Sequence, residues 1–531
     1  MGTDAPSTPT PASEITADVV VLGGGPVGEN LAQYAIEGTD LSAVIVESEL
    51  LGGECSYYAC IPSKVLLRPT AVADTAAHLP GLSAPTLEQE KLLASRDQWV
   101  SHYDDSGQME WAASAGIQVL RGHGRLVSER EVLVTPPSEA GSGDPEAGAT
   151  RVHARRAVVL ASGSSATIPP ELAQLSPWTS RDATGVQEVP QRLAIVGGGV
   201  VAVEAATWMA ALGSEVTLLV RGDALLRGFE PFAGKHVLDA LQERGVTVQL
   251  SISVVSAERE EARETGLGRV HGGAVTLQVQ DASGTREIVV DEVLAATGRR
   301  PRLDDLGLEE IGLSGQDITA AAQPRADGTT ARPLPSWLHA VGDASGEAPL
   351  THWGKYRARV IGQRIRADAS GEAPLTHWGK YRARVIGQRI RADASGEALE
   401  PEPETVPVPQ VVFTEPQVAS VGLTAAAARE EGIEVVTAQV PFNGAAGASL
   451  LREDAHGTAQ LVVDARTHCL VGATFVGPEA SELLHGASIA IVGAVPVHVL
   501  RHAVPSFPTV SELWLRLLEG LPAQMRHRGG A

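Results

Sequence analysis

The chain has 531 residues, 43% hydrophobic and 20% charged, which excludes wholesale disorder and predicts roughly three to four domains. Lys plus Arg number 42 against 64 Asp plus Glu, a formal net charge of -22, so the acidic surface argues against nucleic acid or an anionic membrane as partner. Three cysteines are too few for a secreted disulfide scaffold and fit a reducing cytoplasm. The N-terminus has neither the basic nor the apolar part of a signal peptide. The late apolar stretch from Ala487 to Val499 contains Pro496 and is too short to cross a bilayer.

Residues 1–17 read as a Pro/Thr-rich tail. At Asp18 the chain switches to VVVLGGGPVGENLAQYAIEG, a buried parallel strand, a glycine turn and a helix. Gly23, Gly25 and Gly28 form GxGxxG. The first glycine permits a tight turn, the second lets backbone approach a diphosphate, and the third lets helix pack on strand. The next strand, AVIVE, ends in Glu47, an acceptor for ribose hydroxyls.

Next comes LGGECSYYACIPSK, in which the turn Gly52-Gly53 precedes Cys55 and Cys60. Residues five apart do not face each other on a regular helix, so bridging these thiols requires a distorted first turn. A helix N-terminus is also expected to lower a thiol pKa and supply a thiolate. Cys469, alone in THCLVGATF, reads as a buried core residue. Strands are expected at 132–137 and 157–164, with loops near 138–150 and 257–273.

The strand–turn–helix grammar recurs from Arg192, with Gly197, Gly199 and Ala202 as GxGxxA. Its second strand, VTLLV, runs into Arg221 rather than an acid, and Arg227 follows. Two forked guanidinium groups suit the 2′-phosphate of NADPH better than the free 2′-hydroxyl of NADH. Further on, the 25 residues Ala344–Asp368 recur without a change as Ala369–Asp393. Two copies are too few for a solenoid, so this is a recent duplication or an assembly artefact. Gly371 and Pro374 keep the copies from merging into one helix and predict two, about Thr351–Ala367 and Thr376–Ala392. PEPETVPVP at 401–409 is a linker before an α+β pattern, and the final RHRGGA reads as a frayed end.

The ordered landmarks are the two glycine loops, GGECSYYACIPSK, ASGS at 161–164, AATGRRP at 295–301, AVGDA at 340–344 and FTEPQVASVG at 413–422. Over about residues 18–520 this set resembles the class I pyridine nucleotide–disulfide oxidoreductases: dihydrolipoamide dehydrogenase, glutathione and mycothione reductases, mercuric reductase. The resemblance implies an α/β fold with two doubly wound Rossmann-type dinucleotide-binding domains and a C-terminal α+β dimerisation domain. It implies an FAD-binding domain at 18–165 continued at 299–400, an NAD(P)H-binding domain at 166–298, a dimerisation domain at 405–520 and a tail at 521–531. It further implies noncovalent FAD, a homodimer, a small-molecule or small-thiol substrate, and no metal site.

By the same resemblance Cys60 lies beside the flavin and Cys55 is the interchange thiol. Lys64 contacts the flavin and pairs with Glu204, and Asp343 holds the ribityl chain. Gly124 lies near the adenine, and Ser162, Gly163, Ser164, Gly298, Leu350 and Thr351 complete the cofactor contacts. Disulfide-reducing members carry His-Pro-Thr-x-x-Glu near the C-terminus, the His acting as general acid/base. Here Pro508, Thr509 and the catalytic candidate Glu512 match, but Phe507 stands in place of the His, and a phenyl ring transfers no proton. His502, five residues upstream, reads as an ordinary surface or core histidine. Mercuric reductase also has an aromatic there but adds a C-terminal cysteine pair, which this chain lacks. The expected activity is electron transfer from NADPH through FAD and Cys55–Cys60 to a disulfide, a quinone or a metal ion. The alternatives are a dihydrolipoamide dehydrogenase-type component docking on a 2-oxo acid dehydrogenase complex, and a catalytically silent flavin-binding sensor.

Overall fold

Runs of Val, Leu and Ile with no polar side make strands buried on both faces, and such strands form the centre of the first of two units. The computed structural model describes residues 13–83, 85–137, 148–322, 334–346, 350–370 and 407–526. The start of the expected tail, most of the loop near 138–150, the second repeat helix, most of the linker and the last five residues lie outside them. The first unit comprises Met1–Cys60, Val100–Ser165 and Arg299–Pro401. Its chain runs β1 (Ser13–Leu22), α1 (Pro26–Ile36), β2 (Ala43–Glu47), α2 (Gly53–Tyr57) and the start of α3 (Cys60–Ala77). It resumes with β3 (Ile117–Arg121), β4 (His123–Ser128), β5 (Glu131–Thr135) and β6 (Thr150–Leu160).

These strands lie in the order β3-β2-β1-β6-β5-β4, and Leu338–Ala340 adds a seventh strand beside β6. The β3-β2-β1-β6 part is parallel, and β6-β5-β4 is antiparallel. β1 starts at Ser13, so residues 13–17 are strand rather than tail. The reason is the length of β6: its first half pairs with Ser13–Ala17, and Ala17 is buried in the sheet.

The first repeat copy, continued by Ala369 and Ser370 of the second, forms the helix Thr351–Ser370, three residues longer than expected. It lies against α1 with glycine at the crossing. A Cβ at Gly362 would meet the Leu31 carbonyl at 2.8 Å and the Ala35 amide at 3.1 Å, and one at Gly354 would overlap Val27. Ala358 and Ile365 bury in the same core as Leu31 and Ala35. Copy one therefore occupies the slot on α1.

The second unit comprises Ile61–Trp99, Ala166–Gly298 and Glu402–Ala531. Ile61–Trp99 thus packs outside the 18–165 segment expected to hold it. Leu66, Leu67 and Leu92 join Trp178, Trp208, Val412 and Val418 in one core. Buried Arg96 donates to the carbonyls of Thr184 and Val186. The unit holds a parallel sheet of Thr247–Leu250, Glu215–Val220, Arg192–Val196 and Glu292–Ala295, in that order. An antiparallel sheet follows the order Gln410–Val412, Gln417–Gly422, Leu470–Gly477, Thr458–Asp464, Val435–Pro441.

Three local expectations need correction. The strand Ser253–Arg259 extends into the loop expected at 257–273, because it pairs with Val275–Asp281. The tail expected from 521 starts too early, since Leu521 and Met525 pack with Leu513 and Leu517. Cys469 is half-buried rather than core. It sits at a strand end, bridged to Pro496, with its thiol donating to the Ala494 carbonyl at 3.2 Å. Among the described residues no helix is long and apolar enough to cross a membrane.

Deleting Ala369–Asp393 joins Asp368 to Ala394-Ser395, which restores the Ala-Ser end of the helix. The deletion is expected to leave flavin content and Tm at or above those of the full chain, measured by absorbance and thermal melting. A fall in both would show that the second copy is integral to the fold.

Candidate functional site

The first glycine loop is shaped by backbone meeting backbone. Gly23 has φ +108°, and a Cβ there would run into the Ala161 carbonyl. A Cβ on Gly28 would run into the carbonyl of Gly23, whereas one on Gly25 would meet open space. Gly25 caps α1 and Pro26 starts it, so the unpaired first-turn amides face that open ground. The Glu47 carboxylate accepts from the amides of Gly24 (2.7 Å) and Glu49 (2.8 Å). The Gly52 amide donates to the Gly24 carbonyl at 2.7 Å. Gly53 packs so closely that a Cβ on it would lie 2.7 Å from the Gly25 Cα. Gly124, on β4, rests on Leu22 and Val46 at the ends of the central strands. The loop therefore fits a diphosphate approaching over Gly25, with Glu47 at its flank.

The two cysteines lie on different helices. α2 ends at Tyr57 and α3 begins at Cys60, so the two-residue turn Tyr58-Ala59 between helices, rather than a distorted turn inside one, lies between the thiols. Both are free thiols in hydrogen-bond contact. The Cys60 Sγ also lies 3.3 Å from the Thr351 Oγ1. The expectation of a lowered thiol pKa fails for Cys55. Its hydrogen bond with Cys60 and its burial push it well above the ordinary thiol range, against the opposing pull of Thr351 and Lys355. Cys55 is the third residue of a five-residue helix, whose dipole is too short to offset this. In the dithiol, Cys55 therefore keeps its proton.

Asp343 finds its partner in Ser164, whose hydroxyl donates to it. Arg299 donates to the Ser164 hydroxyl and to its carbonyl, both at 2.8 Å. Arg299 also faces Glu54 at 3.7 Å, and Arg302 faces Glu54 at 3.9 Å. Ser162 donates to the Arg302 carbonyl, and Gly163 supplies the left-handed turn between the two serines. Sequence reasoning missed Arg299 and Glu54. Their signals are the arginines of AATGRRP and the acid in GGEC, both inside the landmark motifs. Leu350 accepts from the Gly354 amide and so starts the helix that carries Thr351.

In the second unit Lys64 donates to both carboxylate oxygens of Glu204, at 2.9 and 3.2 Å. Glu204 is buried and also accepts from the Phe413 amide at 2.9 Å. The Lys64 ammonium lies 4.8 Å from the Phe413 ring centre, a cation–π contact. The second glycine loop repeats the first: a Cβ on Gly197 would strike the Ala296 carbonyl, Gly199 faces open space, and Ala202 is buried. Gly298 accepts from the Thr167 amide. Arg221 and Arg227 are exposed at the end of the strand Glu215–Val220. Arg227 pairs with Asp223 at 2.6 Å and lies over Gly222, next to Arg221. Glu512 starts the helix Glu512–Gly520 and accepts from the Gly447 amide at 3.3 Å. Phe507 is 77% exposed, and His502 is exposed as well.

The sequence matches the pyridine nucleotide-disulphide oxidoreductase family over residues 17–351 and the family's dimerisation domain over residues 408–517. The chain belongs to this family. Its members are flavoprotein disulfide oxidoreductases that use FAD and a pyridine nucleotide, and the two open glycine loops fit both. The dihydrolipoyl dehydrogenase of Thermus scotoductus is 30% identical over 525 residues, covering 96% of this chain and 99% of that protein. That of Bacillus subtilis is 26% identical, covering 95% and 96%. Among solved structures, LpdA of Mycobacterium tuberculosis has a TM-score of 0.72 at 22% identity, covering 96% of this chain and 100% of that one. The HOCl-induced flavoprotein disulfide reductase RclA of Escherichia coli has a TM-score of 0.70 at 20% identity, covering 94% and 99%. These last two likenesses show the fold.

Replacing Lys64 by Met strands a buried carboxylate, so it is expected to lower stability by about 2 kcal/mol. Adding Glu204→Gln removes the stranded charge and keeps an acceptor for the Phe413 amide, so the double variant is expected to regain at least half of that loss. Urea unfolding at matched flavin content reads both. Additive losses would show that the pair does not couple.

Proposed function

We propose that the protein takes electrons from NADPH through FAD to a Cys55–Cys60 disulfide, and from the resulting dithiol to an external acceptor. The observation that carries this reading is the contact between the two thiols across the turn from α2 to α3. FAD, when bound, supplies two-electron chemistry between nicotinamide and sulfur. Reducing the disulfide consumes two electrons and one proton, leaving a thiol at Cys55 and a thiolate at Cys60, and the protein's groups hold this product. Cys60 sits against the Thr351 hydroxyl, and Cys55 retains its proton until an acceptor arrives. Cys55 is then the interchange thiol and Cys60 the flavin-side thiol. Lys64, oriented by Glu204, and Asp343, oriented by Ser164, serve as the flavin's polar contacts.

In this reading 18–165 with 299–400 binds FAD, 166–298 binds NADPH, and 405–520 pairs two copies into a homodimer. The choice of NADPH rests on the exposed Arg221 and Arg227 beside a strand that ends without an acid. Phe507 leaves no imidazole to protonate a departing thiolate. That favours a quinone or a metal ion as acceptor, while the intact cysteine pair favours a disulfide. The names of the relatives support a second reading, a dihydrolipoyl dehydrogenase component; the two arginines oppose it.

Anaerobic titration with NADPH is expected to produce a long-wavelength thiolate–flavin charge-transfer band that is absent in Cys60→Ser. Cys55→Ser and Cys60→Ser should each abolish disulfide reduction while sparing NADPH oxidation by an artificial quinone. Loss of the quinone reaction in both would assign the thiols another purpose.

The double variant Arg221→Ala/Arg227→Ala is expected to weaken NADPH binding far more than NADH binding. Each charge-assisted contact contributes about 1.5–3 kcal/mol, enough together to reverse the preference. Equal effects on the two nucleotides, measured by steady-state KM and direct titration, would show ordinary surface arginines.

A further inference from the structure

Two residues beyond Phe413 the chain enters a cleft of about 180 Å³ that lies wholly within the second unit. Glu415 lines it and is 6% exposed. Its Oε1 is buried with no hydrogen-bond partner, and the nearest cation, the Arg452 Nη1, stands off at 3.8 Å. A buried carboxylate oxygen without a donor is costly, so the cations around it need accounting for.

They are committed elsewhere. Arg452 donates to both oxygens of Asp454, at 2.6 and 2.8 Å, and to Asp74. Arg244 pairs with the same Asp74 at 3.1 Å. His78 and His456 also line the cleft, and His78 faces Asp454 at 3.4 Å. With Glu243 at the wall, four carboxylates face two guanidinium groups. The cleft is short of positive charge and of donors, so an anion has nothing free to bind. Among the described residues no three His, Cys, Asp or Glu side chains are grouped to hold a metal ion. What the cleft lacks is a compact cation with N–H donors. Its volume is close to that of an engineered protein cavity that accepts benzene, so an occupant of about six heavy atoms fits.

We propose that this cleft binds a small primary amine as its ammonium ion, anchored by the Glu415 carboxylate. The site is independent of the redox reading, because none of its residues belongs to that machinery. Burial pushes the Glu415 carboxyl up to about 7; Asp74 and Glu479 add to the shift, while Arg452 and Arg244 oppose it. Ammonium binding selects the ionised carboxylate, so affinity rises with pH up to that value and levels off above it. The two histidines also gain charge in acid, and the part of the pH profile owed to Glu415 is the difference between wild type and Glu415→Gln.

The test is calorimetric titration of the FAD-loaded protein with n-propylammonium chloride at matched ionic strength. n-Propyltrimethylammonium, which has no N–H, and propionate serve as comparators. Saturable one-to-one binding of propylammonium is expected, with the other two absent. Glu415→Gln should weaken it at least about tenfold and flatten the rise between pH 6 and 8. Propylammonium that does not saturate, equal affinity in Glu415→Gln, or equal binding of the quaternary ion would each overturn the proposal. Should Glu415→Gln fail to fold, the wild-type comparison of primary with quaternary ion decides alone.

Discussion

The first unit depends on a close approach of main chain to main chain. Gly23 lies under the Ala161 carbonyl, Gly28 under that of Gly23, and Gly53 against Gly25. Any side chain at these contacts would drive apart β1, α1 and the turn that leads to α2. Because the Gly52-Gly53 turn is held on the first glycine loop, the segment that carries Cys55 and Cys60 starts from that loop. One packing constraint thus sets the strand–helix crossing, the nucleotide cradle and the start of the cysteine segment. The second unit repeats the first part of this device at Gly197 and Ala296.

Each unit also holds a carboxylate that its own chain must satisfy. Glu204 is buried and receives three donors, two from Lys64 and one from the Phe413 amide. Asp343 is held by Ser164, which Arg299 holds in turn. Glu415 is the exception, buried with an oxygen that has no hydrogen-bond donor, its Arg452 ion pair standing off at 3.8 Å. Two of these carboxylates are tied into place, which preorganises the groups around them. The third is left wanting a donor, which is the physical basis for assigning it a ligand.

The repeated 25 residues show what identical sequence cannot decide. Both copies carry the same Thr-His-Trp-Gly-Lys pattern, yet one slot on α1 exists, lined by Leu31, Tyr34 and Ala35. Copy one follows directly on Asp343, so its Thr351 arrives beside Cys60. Chain connectivity, and not local propensity, selects the copy.

The sequence by itself determined the α/β class, both glycine loops, the cysteine segment and the strands that lead into them. Those features are local: a turn, a period of apolar residues, an acid at a strand end, all carried within about thirty residues. It also carried the Lys64–Glu204 and Asp343 positions, but only through a family's landmarks, since no spacing connects residues 140 positions apart. Tertiary structure decided the rest. It extended β1 back to Ser13 because β6 offered an unpaired edge, and it moved Ile61–Trp99 into the second unit because Leu66 and Leu67 found Trp178 and Trp208 there. It placed Arg299 on Ser164, left Cys469 partly exposed, and raised the Cys55 pKa where a helix terminus alone would lower it. Apart from Cys55, whose partner Cys60 is only five residues on, the outcome turned on a partner distant in sequence, and burial against a distant partner is written in no local pattern.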